Sequence, residues 1–169
     1  MQLDFELRPQ RVVAQPCKLH FEDSAHIPDF LVCANDYRFL VDVKYEKKLQ
    51  SPKFMAAREK TAKASAILGL DYRVYSEPEE IYFANLNWLV GYRRVPPNLT
   101  DLAAQVTDSI DASSNTISYA DLIAKFEQPL LIKPVIFYML WHKRLLTDLH
   151  RLFDHQMLLH INFDGIENE

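Results

Sequence analysis

Residues 26–46 read HIPDFLVCANDYRFLVDVKYE. Two runs rich in β-branched and aromatic residues, FLVCA (30–34) and RFLVDVKY (38–45), flank a short polar segment and predict a β-hairpin. With ANDY (34–37) as the loop, residues 33 and 38 close the ladder, and Asp29 falls opposite Asp42. Side chains alternate along a strand, so Asp42 and Lys44 share a face and Asp29 joins them across the pair. Directly opposed residues have Cβ atoms about 4.5–5.5 Å apart. Two carboxylates that close share a proton or hold a cation. Such hard oxygen donors suit Mg²⁺ or Mn²⁺ rather than zinc. The ordinary alternative for an Asp-x-Lys on a strand is a solvated edge with a surface ion pair.

Outward from the hairpin, RVVAQPCKLHF (11–21) reads as extended structure around Pro16. Ser51 and Pro52 predict an N-cap with proline in the first turn of an Ala- and Lys-rich helix, and Gly69 its left-handed stop. DYRVYSE (71–77) reads as a further strand, and a shorter helix is expected through IYFANLNWLVGYR. The double proline Pro96-Pro97 marks the expected boundary, giving domains over 1–95 and 96–169. In the second, Thr100 is the expected cap of a helix over 101–109 and Ser118 of one over 119–126. Pro134 is expected in the first turn of KPVIFYMLWHKR, with strands LTDL and MLLHI after it. Trp88 reads as core. Tyr72, Tyr75, Tyr82 and Tyr92 read as packing residues, His26 as a hydrogen-bonded structural histidine, and Glu77, Glu79 and Glu80 as a solvated turn.

Hydrophobic residues make up 49% of the 169, enough for a real core, and the net charge of −4 excludes a generally basic nucleic-acid coat. Charge is uneven: residues 1–95 carry 14 Lys and Arg against 13 Asp and Glu, residues 96–169 carry 5 against 10. The basic excess gathers over residues 44–63, directly after the hairpin. Cys17 and Cys33 suggest reduced thiols rather than a disulfide framework or a zinc site. The start, MQLDFELRPQ, is not of signal-peptide type, and no apolar run approaches ~18 residues. A cytoplasmic protein without a membrane span is expected.

Pro28-Asp29 followed by Asp42-Val43-Lys44 resembles the PD-(D/E)xK nuclease pattern. The wider series, VVAQP (12–16), HIPDFLV (26–32), FLVDVKYE (39–46), an Ala- and Lys-rich helix, GLDYRVYSE (69–77) and NLNWLVGYRR (85–94), resembles the TnsA family of endonuclease subunits from Tn-seven-type transposases. The resemblance implies an α/β fold: a restriction-endonuclease-like mixed sheet flanked by helices, then a small winged-helix domain. It implies nicking of donor DNA at the 5′ ends of a transposon in a prokaryotic cell. Its partners would be double-stranded transposon-end DNA, a TnsB-like DDE transposase and a TnsC-like AAA+ ATPase. Asp29, Asp42 and Lys44 match the catalytic positions. Asp29, Asp42 and the Val43 carbonyl would hold Mg²⁺ or Mn²⁺. Family members carry a further acid on an N-terminal helix; here the run before residue 12 is expected to be too short for a full helix, and the acid would fall near Gln2, be supplied by Glu6, or lie outside this chain. Lys53, Lys60 and Lys63 are the candidate DNA-phosphate contacts. The apolar KPVIFYMLWHKR points to a second domain that docks proteins more than it reads a groove, with Lys143, Arg144 and Arg151 available for a few phosphates. The alternatives are a non-catalytic TnsA-like scaffold and a free-standing nuclease of restriction or repair type.

Overall fold

The computed structural model describes residues 1–34 and 37–163. The chain divides into two compact units, one of Glu6–Pro78, the other of Met1–Phe5 with the chain from Glu79 onward. The division falls upstream of the double proline. Its cause is the helix before those prolines, whose Leu86 and Leu89 are fully buried in the second unit's core. The short α1 (Gln2–Leu7) opens the chain and carries Glu6.

The first unit is built on a four-stranded mixed sheet. Its strands are β1 (Arg11–Ala14), β4 (Phe30–Ala34), β5 (Tyr37–Val43) and β6 (Asp71–Tyr75), in that spatial order. Two two-residue strands, β2 (Leu19–His20) and β3 (Ala25–His26), form a separate hairpin; β2 lies in the run 11–21 that the sequence reads as extended. The pairing of β4 with β5 is antiparallel with Cys33 opposite Arg38 and Phe30 opposite Val41, the register expected from the sequence. Ala34 and Tyr37 are themselves paired, so the loop is tighter than ANDY; its residues 35 and 36 lie outside the described residues.

After β5 the chain crosses through α2 (Pro52–Ile67) and returns as β6, parallel to β5. A parallel return requires such a crossover. The α2 helix starts as expected, with the Ser51 hydroxyl accepting from the Phe54 N–H at 3.3 Å and Pro52 in its first turn. Gly69 follows its end at φ 67, a left-handed conformation that only glycine adopts without a Cβ clash. Phe54, Thr61 and Ser65 form its buried side. Central β5 is buried continuously from Phe39 to Asp42. Phe39 also carries the Arg73 guanidinium 4.2 Å from its ring centre.

The second unit contains α3 (Glu80–Leu89), α4 (Leu99–Asp111), β7 (Thr116–Ser118), α5 (Tyr119–Ala124), α6 (Pro129–Trp141), β8 (Leu145–Leu146) and β9 (Leu158–Ile161). The strands form a sheet in the order β7-β9-β8. Ser118 caps α5 as expected, accepting from the Asp121 N–H at 3.1 Å. The α4 cap is not Thr100: the helix starts at Leu99 behind Asn98, which sits at φ 54. Asparagine tolerates that left-handed geometry better than most residues. Pro134 is not in the first turn of α6. Pro129 takes that place, and Pro134 lies inside the helix, where it cannot donate to the preceding turn.

From Val135 to Trp141 every α6 residue is buried. Trp88 is not core: it is 53% exposed, on the rim of an aromatic pocket of about 660 Å³ that also contains Tyr92, Tyr119, Phe137 and Phe153. Among the described residues no helix is long and apolar enough to cross a membrane.

Candidate active site

Asp29 directly precedes β4, and backbone and side chain are both fixed. Its carbonyl accepts from the Gln15 N–H at 2.9 Å, continuing the β1–β4 pairing. Its Oδ2 accepts from the Val43 N–H at 2.7 Å. The carboxylate thus satisfies the last β5 amide, just beyond the β4–β5 ladder. The Lys44 Nζ lies 3.4 Å from the same Oδ2 and 3.2 Å from the Val43 carbonyl oxygen. The Lys44 N–H donates to the Tyr75 carbonyl at 2.9 Å and holds the end of β5 against β6.

Asp42 is 1% exposed and tightly engaged. The His26 Nε2 lies 2.9 Å from its Oδ1 and 2.7 Å from its Oδ2, and the Tyr72 hydroxyl donates to Oδ2 at 2.5 Å. An ionised carboxylate only accepts, so Nε2 carries the hydrogen. The register brings these groups together: Leu40 pairs with Tyr72 and Asp42 with Val74, so Tyr72 is the diagonal neighbour of Asp42 across the parallel pair. Burial, followed by the bond to Asp42 and its charge, holds the Tyr72 phenol well above its usual range. Asp29 acts in the same direction and Arg58 of α2 against it, so both charges reach this site.

The structure thus shows two clusters at this end of the sheet: Asp29 with Lys44 and the Val43 backbone, and Asp42 with His26 and Tyr72, two residues that the sequence reads as structural. The basic candidates divide. Lys60 bonds both carboxylate oxygens of Asp23 at 2.5 and 2.7 Å, and that contact holds the Asp23 carboxyl below its usual range. Lys63 bonds Glu59 at 2.7 Å one helical turn away. Lys53 is exposed at the start of α2. Next to Lys44, exposed Tyr45 has Lys47 and Lys48 Nζ 5.8 and 5.9 Å from its ring centre. That turn is tied down by the Glu77 carboxylate, which accepts from the Glu46 N–H at 2.7 Å. Glu79 instead contacts His150 at 2.6 Å.

Among the described residues no three His, Cys, Asp or Glu side chains stand close enough to hold a metal ion together, so Glu6 does not complete such a group with Asp29 and Asp42. The oxygen donors that are present still suit a hard cation. Mg²⁺ keeps several waters and takes one or two carboxylates rather than an all-protein cage. Asp29 Oδ1 takes none of the bonds above, and Asp42 Oδ1 takes one. An ammonium already rests on Asp29 and the Val43 carbonyl, which marks those two oxygens as a place for positive charge. The sequence matches no protein-family model and no curated protein.

Proposed function

We propose that this chain is a metal-dependent DNA endonuclease subunit of a Tn-seven-type transposase, resembling TnsA, that nicks donor DNA at the 5′ ends of the transposon. The observation that carries the reading is the convergence of Asp29, Lys44 and the Val43 carbonyl at the end of β5, beside the buried Asp42. Apart from the inserted β2–β3 hairpin, the order α1-β1-β4-β5-α2-β6, three antiparallel strands and then a helical crossover to a parallel one, agrees with a restriction-endonuclease-like core. The order α4-β7-α5-α6-β8-β9 with sheet order β7-β9-β8 agrees with a winged helix.

In this reading Asp29, Asp42 and the Val43 carbonyl would hold Mg²⁺ or Mn²⁺, which would supply an acidified water and offset charge on the scissile phosphate. The Val43 amide holds the Asp29 carboxylate and the Gln15 amide its backbone carbonyl, so the side chain is already oriented at the end of β5. The Lys44 ammonium moves off Asp29 to a phosphate oxygen, where it stabilises the charge that builds during hydrolysis. Exposed Lys47, Lys48 and Lys53 contact flanking phosphates without reading sequence. Lys60 and Lys63 do so less readily, since each would first give up its carboxylate partner. The buried face of α6 has no polar row to offer a DNA groove, which favours protein docking for the second unit, with a TnsB-like transposase or a TnsC-like ATPase as partner.

The test is strand-selective nicking of transposon-end DNA, in Mg²⁺ or Mn²⁺, with a DDE transposase present. Wild type nicks the 5′ strand, and Asp29→Ala and Lys44→Ala do not, although both fold. Cleavage retained in both variants removes the proposal. Because no three His, Cys, Asp or Glu side chains converge among the described residues, the second reading is a non-catalytic scaffold. That reading predicts no nicking by wild type under the same conditions.

A further inference from the structure

We propose that His26 and Tyr72 are positioning residues that set the Asp42 carboxylate for cation binding; the inference rests on the endonuclease reading above. A carboxylate has about four acceptor sites. Here Tyr72 takes one on Oδ2, and the single Nε2 hydrogen of His26 is shared between Oδ2 and Oδ1. The carboxylate is thereby fixed in rotation, with its remaining acceptor capacity concentrated on Oδ1.

The two donors come from different sheets and are themselves held. His26 stands on β3, paired with Leu19 of β2. The tip of that hairpin is closed by the Phe21 N–H to the Ser24 carbonyl at 2.8 Å and tied to α2 through Asp23 and Lys60. Tyr72 stands on β6, locked beside β5 by the parallel ladder. Neither residue belongs to the three-residue nuclease pattern. Their geometry is that of groups that orient a ligand from behind, and loss of such partners typically weakens metal affinity 10–100-fold.

The experiment is calorimetric titration of the full-length chain with Mn²⁺, with circular dichroism as the folding control. Wild type, Asp29→Ala, His26→Ala, His26→Gln and Tyr72→Phe are compared. The expected result is site-specific binding in wild type, its loss in Asp29→Ala, and a 10–100-fold weaker Kd in His26→Ala and Tyr72→Phe. Glutamine carries an N–H donor near the position of Nε2, so His26→Gln recovers most of the lost affinity. A purely structural role would lower thermal stability and leave Kd unmoved. Unchanged Kd in folded His26→Ala and Tyr72→Phe overturns this inference and leaves the endonuclease reading intact. Absence of Asp29-dependent binding in wild type overturns both.

Discussion

Replacing Tyr72 with phenylalanine removes a single hydroxyl and keeps the ring on β6. The lost bond is the 2.5 Å contact to Asp42, a carboxylate that is 1% exposed. A hydrogen bond to a charged group contributes about 1.5–3 kcal/mol. Asp42 retains His26, so the charge is not stranded and the loss should stay within that range. The assay must report the right unit. Trp88 and Trp141 both belong to the helical unit, so intrinsic fluorescence would follow the wrong transition. Native-state hydrogen exchange at β5 amides such as Leu40 and Val41 reports the sheet directly. A loss below about 0.5 kcal/mol, the scale of a featureless surface change, would refute the reasoning.

The same bond makes a pH prediction. Burial and Asp42 raise the Tyr72 pKa above the ordinary tyrosine value, about 10. The unfolded chain releases this proton near pH ~10 while the folded chain keeps it. The contribution is therefore whole below that pH and declines as pH climbs toward the folded value, so the gap between wild type and Tyr72→Phe should narrow above pH ~10. A gap that widens there contradicts the sign. Ser51→Ala removes the α2 cap and should cost about 0.5–1 kcal/mol, at the low end for caps because the bond is 3.3 Å; urea unfolding followed by circular dichroism measures it. The Thr61 hydroxyl is buried without a hydrogen-bond partner, so Thr61→Val should stabilise by about 1 kcal/mol in the same experiment. Leu86→Ala should cost about 2–5 kcal/mol, read here by tryptophan fluorescence, since Leu86 is fully buried in the unit that holds both tryptophans.

The hairpin was legible because its information is local. Alternation and loop length fix the register of β4 on β5, and that register alone sets Asp29 beside the end of β5. Lys63 pairs with Glu59 one helical turn away, a spacing that competes with the phosphate contact the sequence suggests for it. What escaped the sequence is non-local. Tyr72 reaches Asp42 through a parallel pairing whose register is set by the α2 crossover, and no spacing rule links residues 42 and 72. His26 sits on a strand of two residues, too short for any alternation to show. Lys60 meets Asp23 across a comparable gap in sequence. In the second unit, Pro129 and Pro134 both suit a first helical turn, and the chain uses the earlier one. Trp88 lies in an apolar run, but neighbouring Leu86 and Leu89 take the buried side of α3 and turn the indole outward.

The endonuclease reading requires Asp29, Asp42 and the Val43 carbonyl to form one cation site. Anomalous diffraction from crystals grown with Mn²⁺ tests it most directly. The expected result is a manganese peak bonded to Asp29 and the Val43 carbonyl and contacting Asp42 Oδ1, with the Lys44 ammonium displaced from Asp29. A map from the same crystals with no manganese there, and Lys44 still on Asp29, would contradict it.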